Sequence, residues 1–189
     1  MNSLSLAKIP ALLAFLTITL IGCATQVVEK PSAVTRATTN LGEFDRVVLV
    51  KGEIAPTYAE HGANIKAVNK IDEILAQQLP GVLDNVEVRT LDEYKSMKSS
   101  LGADALVIRP YIKQVKFIGG AARFWAGAMA GSSVVVMDVF FEKGTGGEPL
   151  STPGFQRTAG AYTDMVGVAS NRMLSDVAQD VVNYVIANK

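Results

Sequence analysis

The chain has 189 residues, with 18 basic and 18 acidic side chains and one cysteine. This length is typical of a single domain. The balanced charge excludes the strongly basic surface used to hold nucleic acid, so we expect no nucleic-acid partner. One cysteine excludes an internal disulfide, and the core must therefore rest on apolar packing.

Residues 1–22 have the pattern of a secretion signal. Lys8 is the one charged residue before an uncharged stretch from Ile9 to Gly22. That stretch has the length of a signal-peptide core, whereas a membrane-spanning helix needs roughly 20 apolar residues. The alternatives are an ordinary signal peptide followed by a chance cysteine and an uncleaved anchor.

The signal ends in Leu20-Ile21-Gly22-Cys23, which resembles the bacterial lipobox. The resemblance implies that the thiol of Cys23 receives a diacylglycerol, that the chain is cut after Gly22, and that the new amino group is acylated. Several acyl chains would hold the protein firmly in a membrane, where one binds only marginally. Ala24 stands where an Asp retains lipoproteins in the inner membrane in enteric-type sorting. The resemblance therefore implies an outer-membrane anchor facing the periplasm.

Residues 23–43 are rich in Thr, Ala and Ser and contain Pro31. This composition predicts a flexible tether that carries the lipid. An extra ordered strand at Gln26–Val28 is the alternative. The domain is predicted to cover residues 44–189.

The elements of that domain follow from hydrophobic periodicity. In chain order we predict a buried strand at 46–50, an amphipathic helix at 64–79, a short strand at 86–89, a short helix at 91–99, long strands at 103–117 and 132–142, a turn at 144–147, a strand at 149–160 interrupted at 153–154, and a helix at 163–187. Pro110 predicts a bulge or an edge in the first long strand. The second is apolar on both faces and should be central.

This order predicts an α/β (or α+β) fold, a single domain with a mixed β-sheet packed by helices and a long C-terminal helix. Thr163 is a candidate cap for that last helix.

The sequence offers few groups for catalysis. His61 is the single histidine, too few for a zinc site when Cys23 is lipidated, and no Gly-x-Ser-x-Gly motif is present. We predict no metal and no cofactor. The scattered acids keep a carboxylate-dependent enzyme open as an alternative. Asp138 is a lone acid in an apolar strand, and its predicted partner is a basic side chain such as Arg109 or Lys113. A functional role for Asp138 is the alternative.

A segment rich in Gly and Ala, Gly119–Gly131, joins the two long strands and contains the only Trp. Three interpretations are open. It packs onto the sheet with Phe124 and Trp125 as anchors; it forms an interaction surface; or its tip enters a membrane. The candidate binding residues are Arg123, Phe124, Trp125, Gly127 and Gly131.

Several of these features together resemble a bacterial lipoprotein family, domain of unknown function 4410. They are Ala103–Ile108, the glycines around the single Arg123, the Val-rich strand and Gly144-Thr145-Gly146. The resemblance covers roughly residues 103 to 186. It implies a periplasmic α/β domain with no agreed activity.

We therefore predict a membrane-anchored envelope lipoprotein with a non-catalytic binding or scaffolding domain. Its partners would be the membrane, through acyl chains on Cys23, and another envelope protein. One alternative is a carboxylate-dependent enzyme on a cell-wall or lipid substrate. Another is an oligomeric assembly or pore component that uses the Gly119–Gly131 segment.

Overall fold

The computed structural model describes residues 27–121, 131–160 and 167–189. Their strands are β1 (Arg46–Val50), β2 (Glu53–Ile54), β3 (Val86–Arg89), β4 (Ala105–Lys116), β5 (Ser133–Lys143), β6 (Pro149–Ser151) and β7 (Gly154–Ala159). Their helices are α1 (Pro56–Ala59), α2 (Gly62–Gln78), α3 (Leu91–Met97) and α4 (Val168–Ala187). Apart from β2 and the short α1, each was predicted from the sequence. Thr163 lies outside the described residues.

The described strands form one mixed sheet in the order β3-β1-β4-β5-β6, with β2 paired to β4 and β7 to β5. Strand β1 is parallel to β3 and β4, whereas β5 runs antiparallel to β4, β6 and β7. The hairpin of β4 and β5 is the longest pairing. Its register runs from Leu106 opposite Lys143 to Lys116 opposite Val134. The predicted single mixed α/β domain is confirmed.

The main core lies between one face of this sheet and the helices α2 and α4. Both helices bury an apolar stripe at spacings of three and four residues, as amphipathic helices do. Ile71 and Leu75 of α2 and Val181 of α4 are fully buried there. A smaller cluster around Tyr94 of α3 covers part of the opposite face. Strand β5 is central and almost wholly buried, as predicted.

Pro110 does not cause the bulge in β4. It pairs regularly with Val139, and the register shift falls between Ile112 and Gln114. The N–H of Val139 bonds to the carbonyl of Pro153, so the nitrogen of Pro110 faces away from β5. On that side β1 pairs with β4 as far as Ile108 and β2 begins at its residue 111. Proline fits because it lies in the gap between two partner strands.

The prediction of a flexible tether reaching residue 43 is wrong for its described part. Residues 28–41, called the strap below, lie across the sheet. The N–H groups of Val28 and Glu29 donate to Oε1 of Gln114 at 3.0 and 3.1 Å. The N–H of Ser32 donates to Oδ1 of Asp138 at 2.8 Å. The first part of the strap is thereby bonded to β4 and β5.

The second part of the strap passes the break between β6 and β7 and reaches the end of α4. The N–H of Thr38 donates to the carbonyl of Leu150 at 3.1 Å, and the hydroxyl of Tyr184 donates to the carbonyl of Thr35 at 2.7 Å. The N–H of Ala37 donates to Oδ1 of Asn188 at 2.9 Å. Leu41 is fully buried in the main core. The folded domain therefore begins well before residue 44.

Replacing Gly154 by Ala tests the strap. A Cβ at this position would lie 2.1 Å from the backbone nitrogen of Ser32. We expect Gly154→Ala to lower the free energy of unfolding by about 1–3 kcal/mol, as overpacking does. We also expect faster hydrogen exchange at the amide of Ser32, because its bond to Asp138 would be lost.

The matched control is Gly62→Ala, whose Cβ would meet nothing within 4 Å. A change of about 0.5 kcal/mol or less is expected there. Unchanged exchange at Ser32 in Gly154→Ala would show that the strap is not held at this crossing.

Candidate functional site

Most residues proposed for binding lie outside the described part of the chain, as does the proposed lipidation site. These are Arg123, Phe124, Trp125, Gly127 and Cys23. Gly131 is described and lies buried just before β5 with φ +80°. This left-handed conformation favours glycine over any side chain.

The two ends of the Gly119–Gly131 segment are held against the start of α4. The N–H of Ile118 donates to Oγ of Ser133 at 3.1 Å, and that oxygen lies 2.8 Å from Oγ of Ser170. Both serines are fully buried. A Cβ on Gly167 would lie 2.8 Å from the nitrogen of Gly120. The hairpin therefore presents this segment from a rigid base.

The buried acid of β5 is paired as predicted. Oδ2 of Asp138 lies 3.3 Å from Nζ of Lys113 and accepts the hydroxyl of Ser32 at 2.7 Å. Lys113 also donates to the carbonyl of Lys30 at 2.6 Å. The structure thus selects Lys113 over Arg109. It adds the strap as a second partner, which the sequence did not indicate.

Arg109 instead binds two other acids, Glu142 and Glu53. It contacts Oε1 of Glu142 at 2.9 Å and Oε1 of Glu53 at 3.3 Å. Its guanidinium also lies over the rings of Phe140 and Tyr94, at 5.1 and 5.8 Å from their centroids. A hydrolytic pair needs one carboxyl group that can carry the proton. Here both acids face the same permanent cation, which links β2, β4 and β5.

A cavity of about 530 Å³ opens where β4 ends beside α1 and the first turn of α2. It is lined by Thr57, Tyr58, His61, Ala63, Asn64, Gln114, Val115, Lys116, Phe117 and Ile118. Pockets that take small ligands measure about 300–1,000 Å³. The size is therefore that of a binding site.

Asn64 joins the two walls of this cavity. Its Nδ2 donates to the carbonyl of Tyr58 at 3.2 Å, and its Oδ1 accepts the N–H of Phe117 at 3.0 Å. His61 lies exposed at the start of α2. Within residues 27–121, 131–160 and 167–189, no group of three or more His, Cys, Asp or Glu side chains could hold a metal ion. The lining is instead mostly apolar.

A second, smaller cavity of about 260 Å³ contains Asp72 of α2 together with Lys51, Asn69, Glu73, Ala76 and Val88. Oδ1 of Asp72 accepts the N–H of Gly52 at 2.9 Å. Burial raises the pKa of this carboxyl group from 3.8 to about 6, although the bond from Gly52 and the charge of Lys51 act in the opposite direction. Asp72 thereby connects α2 to the chain that leaves β1.

No helix in the part of the chain that the structure describes is long and apolar enough to cross a membrane. No family model matches the sequence, and no curated protein matches it. Membership of the family named domain of unknown function 4410 therefore stays a prediction.

Several solved structures are similar to this chain at low sequence identity. A PelC dodecamer from Paraburkholderia phytofirmans is 13% identical, covers 83% of this chain and 95% of its own, and has a TM-score of 0.51. A DUF330 protein from Xanthomonas campestris is 11% identical, covers 84% and 94%, and has a TM-score of 0.48. Lipoprotein GNA1162 from Neisseria meningitidis is 12% identical, covers 77% and 98%, and has a TM-score of 0.42. The likeness to PelC shows a shared fold.

The raised pKa of Asp72 has a consequence for stability. Between pH 3.8 and about 6 the folded chain binds this proton more tightly than the unfolded chain does, so the contribution of Asp72 to stability falls as the pH rises through that window. We expect Asp72→Asn to remove this component while its amide oxygen still accepts the N–H of Gly52. Urea unfolding at several pH values between 4 and 7 measures it.

Asp84→Asn is the matched control, because Asp84 is an exposed acid. It should leave the pH profile as in the wild type. An equal slope in the wild type and in Asp72→Asn would contradict the assignment to Asp72.

Proposed function

We propose that this chain is a bacterial envelope lipoprotein whose domain binds or scaffolds another envelope protein and catalyses no reaction. The observation that carries the proposal is the strap. It is bonded to the sheet from Val28 onward, five residues after Cys23. Five residues span at most about 18 Å. A lipid on Cys23 would therefore keep the start of the strap, and the end of the sheet that carries Gln114, close to the membrane.

In that arrangement the end of the sheet that carries Gln114 is near the membrane. The cavity and the base of the Gly119–Gly131 segment lie at the same end. Val27 and Val28, at the start of the strap, are exposed apolar residues and would also face this side. Together these features form the membrane-proximal end of the domain.

The anchor itself rests on the secretion signal and the lipobox that ends at Cys23. Ala24 favours the outer membrane, with the domain in the periplasm. The acyl chains on Cys23 would supply the attachment to the bilayer.

A non-catalytic role is supported by the way in which the buried charges are used. Arg109 is paired with Glu142, and Lys113 is paired with Asp138. Both pairs connect β4 to β5, and the second also binds the strap. Catalytic sites instead hold titratable groups poised to gain or lose protons. Within the described residues, Asp72 remains the candidate for the alternative, a carboxylate-dependent enzyme on a cell-wall or lipid substrate.

The partner surface that we propose is the Gly119–Gly131 segment, with Arg123 and Trp125 as its anchors. Trp and Arg are the residues most enriched among those that dominate binding energy. The bonds among Ile118, Ser133 and Ser170 would fix where the two ends of the segment leave the domain.

Self-assembly is the second candidate function. The PelC structure that shares this fold is described as a dodecamer, and an assembly of such domains would also need a defined height above the membrane. The partner in that case is a second copy of this chain.

The anchor is tested by Cys23→Ser. Without the thiol there is no atom to form the thioether, so we expect an uncleaved or soluble form that lacks acyl chains. Mass spectrometry of the membrane fraction measures both outcomes. Recovery from wild-type membranes of a mature protein without acyl chains would refute the anchor.

The strap as a spacer of defined length is tested by inserting a flexible Gly/Ser segment between Ala24 and Val28. We expect the variant to stay in the membrane but to lose capture of the partner in a cross-linking pull-down. The reason is that the domain would no longer be held at a defined height above the membrane. The matched control places the same segment in the open turn at Gly146, where a Cβ meets nothing within 4 Å.

Equal capture by both insertion variants and the wild type would refute the spacer role. The protein captured by the wild type separates the two candidates. A different envelope protein supports the scaffold, and a second copy of the chain supports self-assembly.

A further inference from the structure

We infer that the 530 Å³ cavity at the end of β4 holds one of the acyl chains carried by Cys23 of the same chain. This inference rests on the proposed function, because it requires a lipid on Cys23. It goes further by giving one lipid chain a site inside the domain rather than in the bilayer.

The first argument is proximity. Gln114 lines the cavity, and its Oε1 also binds the N–H groups of Val28 and Glu29. The strap therefore begins on a residue that also lines the cavity. The five residues back to Cys23 extend at most about 18 Å, and the lipid they carry is confined to the neighbourhood of the opening.

The second argument is the chemistry of the wall. Tyr58, Val115, Phe117 and Ile118 supply apolar surface. Asn64 has its amide nitrogen and oxygen bonded within the wall itself, so a hydrocarbon chain can cover it without breaking a hydrogen bond. Thr57, His61 and Lys116 also line the cavity, so the site suits a ligand with many methylenes next to a polar group, as an acyl chain has at its ester or amide end.

The third argument is competition between different lipids for the cavity. A ligand tethered by a short linker has an effective concentration in the millimolar range. The chain on Cys23 thus has an advantage over lipid dissolved in the surrounding water. Because a lipoprotein anchor carries several acyl chains, the remaining ones keep the protein in the membrane while one occupies the cavity.

The test uses the full-length protein in cells fed a fatty acid that bears a diazirine at its far end. After irradiation of the membranes, we expect cross-links that join the Cys23 peptide to peptides containing residues 57–64 or 114–118. A phospholipid from the bilayer would instead leave an adduct with the mass of that phospholipid at these peptides.

Ala63→Trp fills the cavity from an exposed position in the first turn of α2. We expect it to lower the yield of the Cys23 cross-link by about ten-fold or more, equivalent to a loss of about 1.4 kcal/mol in binding. The matched control is Lys66→Trp, exposed on the same helix and outside the cavity, and it should keep the wild-type yield. Circular dichroism of both variants verifies that they fold.

The outcomes distinguish a failure of the proposed anchor on Cys23 from a failure of the proposed acyl-chain site in the cavity. If the Cys23 peptide carries no acyl chains, the proposed anchor fails. If it carries them but no cross-link reaches the cavity peptides, or only phospholipid adducts appear there, the anchor stands and the acyl site is overturned. An equal loss of yield in both Trp variants also overturns the acyl site.

Discussion

The ion pair and hydrogen bonds around Asp138 determine how the N-terminal part of the chain lies on the domain. A carboxylate buried on an apolar strand is costly unless it is paired and hydrogen-bonded. Lys113 supplies the charge, while Ser32 supplies its N–H and its hydroxyl. The acid is therefore satisfied only when the strap is docked. This contact fixes the position of the strap over the break between β6 and β7. It also leaves only a short distance between the start of the strap and Cys23.

The sequence predicted the sheet well, because the sheet depends on local apolar patterns. β-branched runs indicated β1 and β5, and apolar spacings of three and four residues indicated α2 and α4. Of the bulge or edge predicted at Pro110, the bulge is wrong and lies between Ile112 and Gln114. The gap between β1 and β2 leaves Pro110 a local edge that accommodates its missing N–H, and this gap is created by strand pairing. Strand pairing brings together distant parts of the chain and has no local signature.

The strap and the cavity also depend on contacts between distant parts of the chain, and the sequence did not predict them. Thr, Ala and Ser in residues 23–43 are common in flexible segments, yet the backbone there bonds to Gln114, Asp138 and Asn188. The cavity joins residues near Asn64 to residues near Phe117, which are 53 positions apart. Asp138 was the one useful local signal, because a lone acid in an apolar strand requires a partner. One of the partners found for Asp138 is the strap, which amino-acid composition could not predict.

The strap also constrains when the domain can finish folding. Its bonds join residues separated by 86, 106 and 151 positions, and the last of these partners is Asn188, next to the final residue of the sequence. A chain that crosses a membrane from its N-terminus exposes residue 28 long before residue 188 arrives. During that interval the strap has no surface to bind, and the proposed modification site remains open to the enzymes that attach lipid and cut the signal. Closure of long loops is slow relative to local folding. The strap can thus dock fully only after the end of α4 has emerged, as one of the last steps of folding.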